Sequence, residues 1–311
     1  MNNYEDRRLA VDIGGIHLKN PLIMCSGTFA SGIEYNEIYE THIIGAVTTK
    51  SFSLKPMSGN KPPRLCETSA GLLNSIGLQN EGIDFFINEQ LPLIKKLKIN
   101  TILSILGISS TEFADIASKI IKIEHELLAV ELNLSCPNVN KGGITIGSVP
   151  DSVEEVTAVV RKTLNIPVIV KLSPNNDNLA DLAKRAKNGG ATCVSLINTL
   201  IGMAIDIETF KPKLGNVVGG LSGPAIKPVA LAKVYSLYKA GILPIIGMGG
   251  IFCWQDAVEF MLAGADAFGI GTVNFVEYDA ALNILKGLRD FIIKNNLNNI
   301  SDITGKLKAG Q

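Results

Sequence analysis

The sequence predicts an α/β chain closed into one (β/α)8 TIM barrel, and three observations carry that prediction. Short β-branched apolar runs alternate with longer amphipathic stretches along all 311 residues. Several of these runs are continuously apolar, as parallel strands buried on both faces must be. The length exceeds an average domain but suits a single barrel with insertions, which commonly reaches roughly 250 residues or more. A doubly wound open sheet is the alternative that such alternation also allows.

Taken in order, Leu9–Ile13 and Ile16–Asn20 flank Gly14-Gly15, the pattern of a β-hairpin ahead of the barrel, at its N-terminal mouth. Strands are expected at Leu22–Ser26, Ala46–Lys50, Thr101–Leu106, Ala129–Leu134, Val168–Leu172, Cys193–Ile197, Pro244–Gly247 and Ala267–Ile270. Helical periodicity covers Ile83–Leu97, Thr111–Ile123, Ser152–Thr163, Leu179–Lys187, Ala225–Lys239, Trp254–Leu262 and Ala280–Lys294. Right-handed βα connections between such elements close into a barrel. Ser152, with Glu155 three residues on, carries a capping-box signature. Gly189-Gly190, Gly241 and Gly264 stand where glycines terminate helices. The stretch from Gly202 to Gly223, after strand six, is too long for a plain barrel loop and predicts a small excursion over the functional face. No linker, repeat or low-complexity tract divides the chain, so residues 1–311 are expected to form one domain.

Composition excludes several classes of function. Apolar residues make up 46%, against disorder, and 29 basic residues balance 29 acidic ones, against a nucleic-acid or polybasic membrane surface. The N-terminal octapeptide ending at Arg8 lacks the apolar core of a signal peptide, and no apolar run approaches the roughly 20 residues of a membrane span. These features predict a soluble, cytoplasmic protein. Five cysteines stand far apart with no Cys-x-x-Cys pair, and three histidines are equally scattered, so neither a disulfide framework nor a metal site is expected in this chain.

In such barrels the chemistry lies at the C-terminal ends of the strands. Strands seven and eight run into Gly247-Met-Gly-Gly-Ile251 and Gly269-Ile-Gly-Thr272. Glycines let backbone N–H groups approach an anion, and a following helix N-terminus adds positive potential. Paired glycine loops in these two places match the phosphate site common to the fold, with tight turns packing strand to helix as the alternative. No Gly-x-Gly-x-x-Gly occurs, so a Rossmann-type NAD site is not expected, and the phosphate belongs to FMN or to a phosphorylated substrate.

Strand four ends in Glu131-Leu-Asn-Leu-Ser-Cys-Pro-Asn138, which brings a thiol, a hydroxyl and two carboxamides just past its end. A free thiol, with a pKa near 8.5, can serve as a base once partly ionised, although a cysteine is also an ordinary small core residue. Strands two and five end in Lys50 and Lys171, and a lysine closing an apolar strand needs an anion to justify its burial. A flavin suits, because reduction leaves negative charge that a fixed ammonium stabilises. Asn74, Asn133, Asn138 and Asn198 offer amides of the kind that read a flat ligand rich in N–H and C=O groups, such as a pyrimidine.

These motifs together resemble the dihydroorotate dehydrogenase family. Those that carry the resemblance are Thr49-Lys50-Ser51, Asn74–Leu78, the string from Asn133 to Asn138, Val170-Lys171-Leu172, Ile197-Asn198-Thr199, Gly220–Gly223, Gly247–Ile251 and Gly271-Thr272. They run in order over about residues 10 to 275. A cysteine at position 136, where the membrane-bound class has serine, is similar to the soluble class. The Asn198–Asp206 and Lys213–Gly223 runs and Lys141-Gly-Gly143 resemble its NAD-linked type.

The resemblance implies oxidation of (S)-dihydroorotate to orotate in UMP biosynthesis, with Cys136 taking the C5 proton and the C6 hydride passing to FMN. It implies substrate contacts at Lys50, Asn74, Ser75, Ile76, Gly77, Leu78, Asn133, Asn198 and Thr199. It implies FMN contacts at Ser26, Lys50, Ser51, Ser104, Asn133, Lys171, Ile197, Gly223, Gly249, Gly250, Gly271 and Thr272. Relatives often have asparagine near Ser104, where this chain reads Leu103-Ser-Ile-Leu-Gly107. The resemblance further implies a homodimer within a heterotetramer, paired with an iron–sulfur flavoprotein subunit that carries FAD and a [2Fe–2S] cluster and passes electrons to NAD. A fumarate-linked soluble relative and a pyrimidine-reducing flavoprotein share much of the pattern. A non-redox phosphate-binding barrel stands apart from all three because it needs no flavin.

Overall fold

The computed structural model describes residues 6–134 and 146–308. Eight parallel strands close into a barrel in sequence order: Leu22–Met24, Ala46–Thr48, Thr101–Ile105, Ala129–Asn133, Val168–Lys171, Cys193–Leu196, Ile245–Met248 and Ala267–Ile270. These are barrel strands one to eight below. Nearly every strand residue is buried, because one face packs the barrel interior and the other packs the helices. Ser26, Lys50, Leu134, Leu172 and Ile197, which the apolar runs assign to strand ends, lie one or two residues past them, on the C-terminal rim.

All seven expected helices form around the barrel. The connection from strand one to strand two is instead made by the short 3-10 turns Glu34–Glu37 and Thr41–Ile43. The helix after strand two runs from Ile83 to Lys96 through a π segment, Phe86–Gln90, with Pro92 in the turn beyond it. Ser109 caps the helix Ser110–Ile120 by accepting the Glu112 N–H, and Asn178 caps Leu179–Asn188 in the same way. The capping role expected of Ser152 is corrected. That helix starts at Pro150, whose fixed φ suits the first helical position, and Ser152 lies inside its first turn.

The N-terminal hairpin is present as Val11–Ile13 paired with Ile16–Leu18, shorter than expected because Leu9 belongs to a 3-10 turn. Gly14 and Gly15 both have positive φ, as a two-residue turn of matching twist requires. A Cβ at Gly14 would lie 2.3 Å from the Thr192 carbonyl, just ahead of strand six, so the hairpin sits against the N-terminal end of the barrel.

The excursion after strand six forms Leu200–Gly202, Ile205–Asp206, Lys211–Pro212 and Gly219–Ser222. It is joined by an element the sequence did not reveal. A second hairpin, Leu65–Thr68 with Gly71–Asn74, follows strand two and pairs with Gly219–Ser222 to complete a four-stranded antiparallel sheet. The sheet lies on the C-terminal side, bringing the connections after strands two and six side by side. Close backbone approach holds it: a Cβ at Gly71 would lie 2.0 Å from the Ser222 carbonyl. Among the described residues no helix is long and apolar enough to cross a membrane.

Candidate active site

A cavity of about 570 Å³ opens between the C-terminal rim and this sheet. It falls within the range of small-molecule sites, roughly 300–1,000 Å³. Its walls include Ser26, Lys50, Ser51, Asn74, Ile76, Gly77, Leu78, Asn133, Lys171, Asn198 and Thr199. Residues from strand ends one, two, four, five and six thus share one space with the loop after the second hairpin. Apolar cover comes from Leu65, Leu72, Val217, Val218 and Phe275.

The floor is a linked set of hydroxyls, one amide and one ion pair. Asn133 donates from Nδ2 to Ser51 Oγ at 3.0 Å, Ser51 and Ser104 Oγ are 2.9 Å apart, and Ser26 Oγ is 3.4 Å from Ser51 Oγ. Lys171 Nζ lies 3.9 Å from Glu131 Oε1, with the two side chains only 8% and 3% exposed. Ser195 donates to Glu131 Oε2 at 2.8 Å, and Ser104 to Oε1 at 3.4 Å. The anion that justifies burying Lys171 is therefore in the first place a carboxylate of this chain. The signal was present as a lone charge inside the apolar run Ala129-Val-Glu-Leu.

The amide residues converge on the opposite wall. Asn74 donates to the Gly220 carbonyl at 3.1 Å, and Asn198 Oδ1 accepts the Thr199 N–H at 2.8 Å. Two wall asparagines escaped the sequence reading. Asn175, past strand five, donates to the Thr199 carbonyl at 3.0 Å and accepts the Ile201 N–H at 3.1 Å. Asn216, in the excursion, donates to Ser75 Oγ at 3.0 Å. Single asparagines in loops look like turn residues, so only the fold reveals that these two face the cavity. Ser75 is buried, and its hydroxyl accepts from both Asn60 and Asn216, which anchors the loop carrying Ile76, Gly77 and Leu78.

The glycine residues meet on the other side of the rim. Gly249 and Gly250 have φ of +125° and +78°, and a Cβ at Gly250 would lie 2.8 Å from both the Gly223 carbonyl and the Lys227 amide nitrogen. Ile197 packs beneath, 3.1 Å from where a Gly249 Cβ would stand. Thr272 donates to Ser222 Oγ at 2.9 Å, next to Gly223, and Gly271 precedes Thr272. The loops after strands six, seven and eight thus form one backbone-lined cradle with Ser222 on the cavity wall. Such a cradle fits a phosphate, and the adjoining cavity with its two lysines fits a flat anionic ring system.

Cys136 and Asn138, with Lys141-Gly-Gly143, lie outside the described residues. Of the described cysteines, burial pushes Cys25 up to about 12, Cys193 well above the usual thiol range and Cys253 upward. The described histidines each sit within 4 Å of a carboxylate, at Asp12, Glu40 and Glu126. Among the described residues no group of three or more His, Cys, Asp or Glu is placed to hold a metal ion.

The sequence model of the family described as dihydroorotate dehydrogenase matches residues 8–292. The protein of Alkaliphilus oremlandii (strain OhILAs) named dihydroorotate dehydrogenase B (NAD(+)), catalytic subunit, is 47% identical over 301 residues, 97% of this chain and 99% of its own. Proteins of the same name from Thermoanaerobacter sp. (strain X514) and Geotalea daltonii (strain DSM 22248 / JCM 15807 / FRC-32) are each 46% identical, over 97% and 96% of this chain and 99% and 98% of theirs.

Proposed function

Because this chain belongs to the dihydroorotate dehydrogenase family, we propose that it oxidises (S)-dihydroorotate to orotate in pyrimidine biosynthesis, as the catalytic subunit of an NAD-linked enzyme. One observation carries the assignment of the site: Lys50, Lys171 and the amides of Asn74, Asn133 and Asn198 line a single cavity beside the glycine cradle. Bound FMN would supply the hydride acceptor for C6 of the substrate.

The chain's own residues divide the remaining work. Asn74, Asn133, Asn198 and Thr199 hold the pyrimidine, their donors and acceptors matching its ring N–H and C=O groups. Ser75, tied to Asn60 and Asn216, keeps the Ile76–Leu78 wall in place. Lys50 serves substrate and flavin together, while Ser26, Ser51, Ser104, Asn133 and Lys171 hold the flavin ring. Gly223, Gly249, Gly250, Gly271 and Thr272 hold its phosphate side, with Ile197 packed beneath. Cys136 removes the C5 proton as a thiolate. Leu65, Leu72, Val217 and Val218 supply the apolar side of the cavity. A partner subunit bearing FAD and a [2Fe–2S] cluster takes the electrons onward, in a heterotetramer built on a homodimer of this chain.

The purified protein should be yellow, and anaerobic dihydroorotate should bleach its visible absorbance. A colourless preparation that takes up no FMN would refute the assignment. Bleaching by dihydropyrimidines lacking the carboxylate, with no response to dihydroorotate, would point instead to a pyrimidine-reducing relative.

A further inference from the structure

Charged groups under a flavin site set how readily the flavin accepts electrons, and one such group in this barrel has no part in the roles above. Glu131 faces the barrel interior from strand four, two residues before Asn133. Register pairs Asn133 with Lys171 and Lys171 with Ser195, and it pairs Glu131 with Ser104. At about 3.3 Å per residue, Glu131 lies roughly 7 Å below the layer that lines the cavity. Its carboxylate is fixed on three sides, by the Lys171 ammonium at 3.9 Å, the Ser195 hydroxyl at 2.8 Å and the Ser104 hydroxyl at 3.4 Å. With the ion-paired side chains 3% and 8% exposed, water and salt screen this charge little.

Resting on the flavin reading of the cavity, we infer that Glu131 is a positioning and potential-setting residue: a fixed counter-charge that anchors the Lys171 ammonium and offsets part of its field. Two consequences follow from Coulomb's law. Lys171 favours negative charge on a ring above it, and Glu131, one layer deeper, opposes that charge. The pair therefore binds an anionic reduced flavin less tightly than a lone lysine would. The flavin stays a weaker oxidant, fit to hand its electrons to a low-potential acceptor instead of retaining them. Ser195 and Ser104 touch the carboxylate from strands six and three and hold it in place, Ser195 from below the cavity wall.

The test is redox titration of the FMN-loaded protein. Glu131→Gln keeps the shape and the acceptor oxygen but removes the charge, and the midpoint potential should shift upward. Ser195→Ala guards against a variant that fails to fold. It removes the hydrogen-bond donor to Oε2, leaves the carboxylate charge less screened beneath the ring, and should shift the potential downward. A purely structural Glu131 would leave the potential of any folded, FMN-loaded variant at the parent value. An unchanged or lowered potential in Glu131→Gln overturns the inference, as does an unchanged potential in Ser195→Ala if Glu131→Gln does not fold. Failure of the parent chain to bind FMN overturns the flavoenzyme reading itself, and is seen before any variant is titrated.

Discussion

At the scale of single residues, charge and protonation decide what each group can do. A thiol acts as a base near neutral pH only if it keeps a usable thiolate fraction. Burial pushes Cys25 up to about 12 and Cys193 well above the usual thiol range, so neither offers a thiolate near neutral pH, and burial raises Cys253 as well. The proton-transfer role is proposed for Cys136, in its Ser-Cys-Pro setting. We predict that Cys136→Ser slows anaerobic flavin reduction by dihydroorotate by roughly 10²–10⁴-fold at neutral pH, because serine is far harder to deprotonate and positioned base catalysis is worth about that much. Stopped-flow absorbance reads this directly, and an unaltered reduction rate would strip Cys136 of the role. The same residue-level logic shows where sequence falls short. Lys171 was legible as a buried cation in want of an anion and Glu131 as a lone charge in an apolar run, but their pairing was not, because pairing across strands four and five is a property of register rather than of sequence neighbourhood.

At the scale of elements, apolar periodicity reported existence well and ends less well. The eight strands and seven helices stand where their patterns place them, yet Ser26, Lys50 and Ile197 fall beyond the ends of their strands because rim residues stay apolar or small after the ladder stops. The hairpin Leu65–Thr68 with Gly71–Asn74 was invisible for a different reason. Its strands are short, half exposed and interrupted by glycine, and its partner strand opens with Gly219-Gly220, so neither side carries a β signal until the two are paired. Capping is equally local. Asp256 accepts the Phe252 and Cys253 N–H groups at the start of the helix Trp254–Leu262 and binds Lys227 at 2.6 Å. Burial works against its carboxylate, but Lys227 and the N–H donors outweigh burial and hold it below the usual carboxylate range. A depressed pKa in the folded state means stability that is present above the ordinary carboxylate pKa and lost as pH falls through the folded value. Asp256→Asn should therefore cost about 1–2 kcal/mol at pH 7. The gap from the parent should narrow below about pH 4, in urea unfolding at the two pH values. An equal deficit at both would assign the loss to shape rather than charge.

At the scale of the whole molecule, barrel closure makes the site: strands one, two, four, five and six are scattered between residues 22 and 196, yet their ends border one cavity. The electrons that enter there must also leave, and the sequence bears on the exit. No Gly-x-Gly-x-x-Gly fingerprint occurs in the chain, and Gly223, Gly249 and Gly250 gather at one cradle on the rim. On the proposed reading the cradle holds one phosphorylated cofactor, and reduction of NAD needs a second polypeptide. The chain purified alone should accordingly bleach with dihydroorotate and pass electrons to an artificial dye, while leaving NAD unreduced at 340 nm. Co-expression with the proposed iron–sulfur partner subunit should restore NAD reduction, with both chains eluting in one peak. Rapid turnover of the isolated chain with fumarate would instead make it a self-sufficient enzyme of the fumarate-linked kind, and NAD reduction by the isolated chain would show that the cavity itself admits a dinucleotide.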